Sequence, residues 1–277
     1  MNPSIPKFTG IRAASLLSTP PKLNIQRIGL VSRHYNQDYG NGYPDFSASF
    51  RPVLKFLDDA GCDTVLFSLF SFIPRADFDV FAHLRLTHIQ ALCFEEFVLD
   101  AKGERHPGAY VVGVQNAFGW QQYRVHQVFS RLSNQSPLRL QQFVQDQFVH
   151  QRLLGNACLI LCGESNGVKY VPAVKSVQDL FGLRQAIPEN VSIVLNPVHD
   201  RMTRFEMLMK RCFLSAENRW VISVWNKGRL NKLGQTRDGK RPAWSVFHQE
   251  KAVIVPAIAN PWAVEMGILD LRNATPF

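Results

Sequence analysis

Three apolar segments of the sequence run directly into polar residues that could do chemistry. The first ends in Cys162-Gly163-Glu164, the second in Asn196-Pro197-Val198-His199-Asp200, and the third in Asn226-Lys227-Gly228. Side chains at the carboxyl ends of buried strands face the crevice in which α/β proteins bind ligands. Cys162 is a candidate nucleophile there, because a thiolate attacks electrophilic carbon once a neighbouring group has taken its proton. The plain alternative is a small buried residue, as free cysteines often are.

The polar cluster after the second segment allows two interpretations. His199, Asp200 and Arg201 follow Asn196-Pro197 at a predicted strand end, so His199 could line a pocket. Asp200 also precedes an amphipathic helix predicted over residues 202–215, and an aspartate there can accept backbone N–H bonds as a cap. The pattern favours the cap over a pocket role for the cluster.

Segments typical of strands and of helices alternate along the chain, which predicts an α/β fold. Apolar spacing and flanking breakers indicate helices over residues 45–60, 138–154, 177–185 and 202–215. Continuous apolar runs indicate strands that are buried on both faces. The predicted strands cover residues 25–32, 64–72, 89–99, 110–114, 121–129, 157–161, 191–195, 220–225, 243–248, 252–255 and 264–271.

The composition favours one large domain without a membrane span. A chain of 277 residues, 46% of them apolar, can bury a sizeable core but is short for two domains. The sequence contains no apolar run of about 18 residues. We expect residues 1–22 to form a flexible tail and residues 23–277 to form the domain. The five cysteines are odd in number and irregularly spaced, so we expect reduced thiols in a cytoplasmic protein.

No motif indicates a metal, a cofactor or a nucleic acid. The sequence has no CxxC pair, no zinc-type spacing of Cys and His, and no nucleotide-binding glycine loop. The net charge of +9 raises the question of nucleic-acid binding. The densest basic stretch, residues 229–241, is rich in Gly, Asn and Gln and is typical of a solvated loop. We therefore expect neither metal nor cofactor, and a basic nucleic-acid-associated subunit is kept only as a third and weaker interpretation.

The order of the strand ends resembles the carbon–nitrogen hydrolase, or nitrilase, superfamily. In that family a buried strand delivers the nucleophile as an apolar run followed by Cys, any residue and Glu or Asp, which residues 159–164 match. A later strand ends in Asn-Pro, as at 196–197, and another ends in Asn-x-Gly, as at 226–228. The last strand ends in apolar-Asp-apolar, as at 269–271. The resemblance, which covers residues 157–271, implies a four-layer α-β-β-α sandwich.

The N-terminal half departs from the family in its chemistry. The family uses a Glu-Lys-Cys triad, in which Glu is the general base and Lys stabilises the oxyanion. Leu69 stands where the resemblance places the Glu, and Val125 stands where it places the Lys. Only Cys162 has a clear equivalent. Catalysis would therefore need other residues, because losing a general base typically costs 10²–10⁴ in rate.

Three acids are candidate substitutes for the missing base. Glu95 and Glu96 lie on a strand expected to neighbour residues 64–72, and one of them must point inward if the strand alternates. Glu164 lies two residues past Cys162 and could approach the thiol. Each has a plain alternative, because Glu95 and Glu96 could face solvent and Glu164 could anchor the loop after Cys162. Leu69, Val125, Asn196, His199 and Asn226 are the expected pocket residues.

Two functions are favoured over the nucleic-acid interpretation at the level of sequence. One is a Cys-dependent hydrolase of a non-peptide amide or nitrile, acting on a small nitrogenous substrate. The other is a degenerate nitrilase-fold protein that binds a small ligand or a partner protein without catalysis. The resemblance also implies a homo-oligomer. An acid and a cation around Cys162 would favour the enzyme, whereas a sulfur sealed by Leu69 and Val125 would favour the degenerate protein.

Overall fold

The chain folds around two six-stranded sheets, which confirms the predicted α/β class. The structure is a computed structural model that describes residues 23–34, 45–128, 137–147, 152–199, 205–228, 233–236, 241–262 and 264–274. The predicted tail over residues 1–22, and Asp200 and Arg201 with the predicted cap, lie outside the described residues. Among the described residues, no helix is both long enough and apolar enough to cross a membrane.

The first sheet has three parallel strands with antiparallel strands on either side. Its strand order is β14-β1-β2-β3-β4-β5. β1, β2 and β3 are parallel, and β14, β4 and β5 extend the sheet in antiparallel pairs. The strands are β1 (Arg27–Ser32), β2 (Thr64–Phe67), β3 (Ala91–Leu99), β4 (Arg105–Asn116), β5 (Gly119–Val125) and β14 (Glu265–Asp270).

The second sheet is built in the same way. Its strand order is β13-β12-β11-β10-β7-β6, with β7, β10 and β11 parallel at its centre. The strands are β6 (Leu153–Leu154), β7 (Ala157–Leu159), β10 (Ile193–Pro197), β11 (Trp220–Val224), β12 (Trp244–His248) and β13 (Lys251–Val253). A separate hairpin pairs β8 (Val168–Val171) with β9 (Ser176–Asp179).

Three α-helices lie within the described residues. They are α1 (Phe50–Asp59), α2 (Pro137–Gln142), which a π-helical turn over Phe143–Gln147 continues, and α3 (Phe205–Leu214). The helix α1 ends where Gly61 takes a positive φ of 73°. The Cys62 N–H then bonds to the Leu57 carbonyl and the Gly61 N–H bonds to the Asp58 carbonyl, which is a Schellman cap. Short 3₁₀ turns cover Phe46–Ala48, Cys162–Gly167 and Pro172–Val174.

The buried apolar side chains form three clusters, which pack against the faces of the two six-stranded sheets. One cluster contains side chains of both six-stranded sheets, including Leu66 and Tyr110 of the first and Leu195 of the second. A second joins α1 to the first sheet, and a third joins α3 to the second sheet. Each sheet therefore buries both faces, which explains why the central strands read as continuous apolar runs.

Buried polar contacts tie the two sheets together at the carboxyl ends of their parallel strands. Asn226, two residues beyond β11, donates from Nδ2 to the Leu69 carbonyl at 2.7 Å and bonds through Oδ1 to the Ser68 hydroxyl. The Ser32 hydroxyl donates to the Trp225 carbonyl at 2.6 Å. Asn226, Ser68 and Ser32 are each at most 1% exposed. These bonds hold the end of β11 against the ends of β1 and β2.

Two of the predicted helices are wrong in part or in whole. Residues 177–185 are not a helix, because β9 pairs with β8 and Asp179 then accepts the backbone N–H groups of Leu183 and Arg184. The helix predicted over 138–154 gives way to β6, which pairs with β7 around Gly155 at a φ of 65°. In both places strand pairing with a neighbour overrides a local helical pattern.

The strand predicted over residues 64–72 is shorter than expected. β2 ends at Phe67, and Phe70 adopts a positive φ of 55°. Residues 68–72 leave the ladder in order to bond to neighbouring segments, including backbone bonds from Ser71 and Phe72 to the Glu95 carbonyl. This departure places the end of β2 next to the side chain of Glu95.

Substituting Asn226 by alanine should destabilise the protein by about 2–4 kcal/mol, because the Ser68 hydroxyl and the Leu69 carbonyl stay buried without their partner. Urea unfolding measures this loss. The exposed Asn190 is the matched control, and its alanine variant should change the free energy of unfolding by less than about 0.5 kcal/mol. Equal effects of the two substitutions would contradict a bridging role for Asn226.

Candidate active site

Cys162 and His199 lie at the ends of neighbouring parallel strands of the second sheet. β7 and β10 pair with Leu159 opposite Leu195. The Ile160 N–H donates to the Leu195 carbonyl, which continues the ladder toward the site. Cys162 begins a 3₁₀ turn three residues past Leu159, and His199 follows Leu195 by four residues. The sheet register therefore brings the thiol and the imidazole to the same edge.

His199 links Cys162 to Glu95 of the first sheet. Its Nε2 lies 3.0 Å from Oε2 and 3.2 Å from Oε1 of Glu95. Its side chain also interacts with Cys162, which contributes to the raised pKa of the imidazole. A thiol, an imidazole and a carboxylate in this sequence of contacts form the arrangement of a nucleophile, a base and a group that orients the base.

The surroundings of His199 keep its imidazole protonated at neutral pH. Burial alone would lower the pKa, but the hydrogen bonds to Cys162 and Glu95, together with their negative charge, raise it to about 10. The ring also packs against Phe70, with 4.3 Å between the ring centroids. Charge and packing thus fix both the protonation and the orientation of the ring.

The carboxylate of Glu95 is held in place by the strained end of β2. Glu95 is 5% exposed, and its Oε2 accepts the Phe70 N–H at 2.8 Å. The Phe70 carbonyl accepts from Nη1 of the buried Arg33 at 3.1 Å. A positive φ is unusual for phenylalanine, and it persists here because buried side chains hold both polar backbone groups of the residue.

The loop that carries Cys162 is anchored by a buried ion pair. Glu164 and Arg152 are 0% and 1% exposed, and Nη2 of Arg152 lies 2.7 Å from Oε1 of Glu164. The same oxygen accepts the Val128 N–H, and Oε2 accepts the Leu161 N–H, both at 2.9 Å. Burial raises the pKa of Glu164, while the charge of Arg152 and these donors pull it down. Because these donors occupy both carboxylate oxygens, we interpret Glu164 as the anchor of the loop and not as a base for the Cys162 thiol.

The segment that crosses in front of the nucleophile contributes one polar side chain. Arg152 donates to the His126 carbonyl and Glu164 accepts from Val128, so residues 126–128 lie against the ion pair. Between them, Gln127 accepts the Gly163 N–H through Oε1 at 3.2 Å. The backbone N–H directly after Cys162 therefore points at a side-chain oxygen in this structure.

Arg211 is a buried cation near the thiol that the sequence pattern did not single out. It lies on the inner side of α3, is 2% exposed, and donates from Nη1 to the Ser245 hydroxyl at 3.0 Å. Burial lowers its pKa to about 9, while the charge of Cys162 acts in the opposite direction. It remains cationic at neutral pH. A buried arginine on an amphipathic helix gives no signal in sequence, because helical arginines usually face solvent.

The other predicted site residues have separate positions. Leu69 is 1% exposed in the cluster between the sheets, and Val125 packs against the same cluster. Asn196 donates to the Ile160 carbonyl at 2.7 Å and accepts from Ser223 at 2.9 Å, so it braces three neighbouring strand ends. Asn226 forms the bridge between the sheets. Leu69 and Val125 therefore contribute apolar surface, whereas Asn196 and Asn226 hold strand ends in position.

Glu96 does not join the arrangement around Cys162. It forms an ion pair with Arg124, whose Nη2 lies 2.8 Å from Oε1, and the two side chains are 22% and 45% exposed. Its neighbour Glu95 takes the inward position that strand alternation requires of one of the two. Within the described part of the chain, no group of three or more His, Cys, Asp or Glu residues could hold a metal ion.

Comparisons with known proteins return only distant structural similarity. No family model matches the chain, and no curated protein matches it. A carbon–nitrogen hydrolase from Helicobacter pylori G27 is 11% identical, with 90% of each chain covered and a TM-score of 0.44. A glutamine-dependent NAD+ synthetase from Acinetobacter baumannii in complex with ADP is 13% identical, with a TM-score of 0.45. That match covers 89% of this chain and 46% of the synthetase.

Neutralising the buried carboxylate of Glu164 should destabilise the protein strongly. Glu164→Gln leaves the Arg152 guanidinium buried without its counter-charge, which costs about 3–5 kcal/mol. The free energy of urea unfolding measures the loss, and the exposed Glu189→Gln is the matched control. The double variant Arg152→Met with Glu164→Gln should recover part of the loss. A Glu164→Gln protein as stable as the control would show that the pair does not anchor the loop.

The contribution of His199 to stability should depend on pH. The pKa in the folded protein is about 10, above the ordinary value of 6.5, so the folded state holds a proton that the unfolded state releases. The stabilisation is complete below pH 6.5 and is lost as the pH rises toward 10. Free energies of unfolding of the wild type and of His199→Gln, measured across this range, should therefore converge as the pH rises. A constant difference between them would contradict the raised pKa.

Proposed function

We propose that this chain is a thiol-dependent carbon–nitrogen hydrolase that acts on a non-peptide amide or nitrile. One observation carries the proposal. His199 forms a hydrogen bond with Glu95 and interacts with Cys162, so a nucleophile, an acid–base group and an orienting carboxylate lie together. The degenerate alternative required a thiol sealed by apolar side chains, and the imidazole at Cys162 argues against it.

The assignment of roles follows from the protonation of the imidazole. The attacking form of cysteine is the thiolate, and the protonated His199 carries the proton that the departing nitrogen needs. The thiolate of Cys162 forms a bond to the amide carbon, and the carbonyl oxygen takes the electron pair. His199 then gives its proton to the departing nitrogen as the C–N bond breaks. The products of this step are a free amine and a thioester on Cys162.

Hydrolysis of the thioester uses the same imidazole in the opposite direction. Once His199 has released its proton it is neutral, so it can take a proton from water as the water oxygen attacks the thioester carbon. The C–S bond breaks, the thiolate returns, and the carboxylic acid leaves. Glu95 keeps the ring oriented and stabilises the positive charge that forms on it, which is the role of the carboxylate in such triads.

Two groups are suited to support the negative oxygen in these steps. The Gly163 N–H directly follows the nucleophile, and it becomes available when it exchanges Gln127 for the substrate oxygen. Arg211 supplies a buried positive charge, and its interaction with Cys162 raises the pKa of the guanidinium against the effect of burial. This assignment takes over the part that the family gives to a lysine, for which Val125 offers no charge.

The arrangement of the core supports the finer fold assignment made with this function. One buried cluster lies between the two sheets, and the other two join α1 to the first sheet and α3 to the second. This succession of buried clusters supports the proposal of a four-layer α-β-β-α sandwich of nitrilase type. The order of strand ends over residues 157–271 supports the same family.

Acylation of Cys162 by p-nitrophenyl acetate tests the chemistry without knowledge of the substrate. The wild type should release a burst of p-nitrophenol and carry an acetyl group on Cys162, located by peptide mass spectrometry. Cys162→Ala should abolish the burst, and His199→Ala should slow it by about 10²–10⁴. Cys212→Ala is the matched control, since Cys212 is also half-buried and its thiol donates to the Glu250 carbonyl. Release of ammonia or amine from simple amides then tests C–N cleavage.

Two results would overturn the proposal. One is acetylation of Cys212 that is as fast as that of Cys162 in the wild type. The other is an unchanged burst in His199→Ala with circular dichroism equal to that of the wild type. Either result would return the chain to the degenerate, ligand-binding alternative.

A further inference from the structure

Tyr110 presents a buried hydroxyl for which the described residues provide no hydrogen-bond partner. The residue lies on β4 and is 1% exposed. Its side chain belongs to the cluster between the two sheets, yet its hydroxyl oxygen bonds to no protein group there. Buried hydroxyls nearly always find a partner, so an orphaned one in a native fold requires a reason.

The position of Tyr110 connects this orphaned hydroxyl to the candidate site. Tyr110 stands directly opposite Glu95 in the antiparallel ladder of β3 and β4, and opposite Val125 in that of β4 and β5. Residues directly opposite one another project from the same face of a sheet and lie in contact distance. Tyr110 therefore shares the inner face with the carboxylate that orients His199.

The electrostatic surroundings fix Tyr110 as a donor. Burial raises the pKa of its phenol well above 10, and the charges of Cys93 and Glu95 act in the same direction. The hydroxyl thus keeps its proton throughout the range in which a thiol-dependent hydrolase works. Its neighbours in the cluster include Cys93 and Val112, whose side chains offer apolar surface and at most a weakly accepting sulfur.

We propose that the Tyr110 hydroxyl donates a hydrogen bond to the acyl part of the substrate. The inference rests on the proposed function and narrows its substrate class. The acyl group carries one oxygen or nitrogen acceptor besides the reacting carbonyl or nitrile, and that acceptor sits among apolar carbon. Tyr110 is in this sense a specificity-determining residue, because a buried polar group left unpaired discriminates against substrates that lack its partner.

Stability gives the first test, and it is independent of catalysis. Tyr110→Phe removes a hydroxyl that makes no hydrogen bond to the described residues, so the variant should unfold at the same temperature as the wild type or higher. Tyr123→Phe is the matched control on the same face, where Tyr123 is half-buried against the same cluster. A clear fall in the unfolding temperature of Tyr110→Phe alone would overturn the inference, because the hydroxyl would then serve the fold.

Acylation of Cys162 by two esters of equal size gives the second test. p-Nitrophenyl methoxyacetate carries an ether oxygen where p-nitrophenyl butyrate carries a methylene, and their ratio of kcat/KM is measured for each protein. Tyr110→Phe should lower this ratio about tenfold relative to the wild type, mainly through KM of the methoxyacetate. Tyr123→Phe should leave it unchanged. The intrinsic reactivities of the esters cancel in the comparison.

The outcomes separate this inference from the function on which it rests. Equal ratios in Tyr110→Phe and wild type, with Cys162 acylated normally, would overturn the role of Tyr110 and leave the hydrolase proposal standing. A wild type that acylates Cys162 with neither ester would overturn both. A lowered ratio with unchanged stability supports the substrate-binding role.

Discussion

The hydrogen bond between His199 and Glu95 is the contact on which the candidate site depends. Glu95 belongs to the first sheet, whereas His199 and Cys162 belong to the second. The site therefore exists only where the two sheets meet, and its geometry is set by how the sheets are held together. Asn226 and Ser32 make that junction beside the ends of β1, β2 and β11. A displacement of the sheets by a fraction of an ångström would act directly on the distance between carboxylate and imidazole.

Several charges are buried around this junction, and each is tied down. Arg152 pairs with Glu164, Glu95 pairs with His199, and Arg33 donates to the Phe70 carbonyl. Buried charges are costly unless they are paired and hydrogen-bonded, so they add little to net stability. Their effect is on uniqueness, because a shifted packing would leave a charge without its partner. The buried charges thus fix the arrangement of the side chains around Cys162 at a cost in stability, as is common at functional sites.

The sequence predicted most of the strands and helices. For the site, it predicted which residues take part but not how they are linked. Buried strands such as β10 and β11 can be predicted from continuous apolar runs, whereas β9 follows a sequence pattern that also suits a helix. Cys162, Glu95 and His199 were each predicted as site residues, but with Glu95 as a base and His199 as a pocket wall. Their linkage depends on the order of the sheets and on the register of Leu159 with Leu195, and neither is encoded locally. Tyr110 and Arg211 were missed because burial of a hydroxyl or a guanidinium leaves no mark in a pattern.

The end of β2 shows how the candidate site is organised around Leu69 and Phe70. The resemblance places Leu69 where a glutamate should be the base, and Glu95 directs its carboxylate at the N–H of the next residue, Phe70. A carboxylate is thus present at the end of β2, although it comes from the neighbouring strand. From there it contacts His199. The proposed function therefore assigns the proton transfers to the imidazole and gives the carboxylate the task of orienting it. On that proposal neither Leu69 nor Val125 needs to carry a charge.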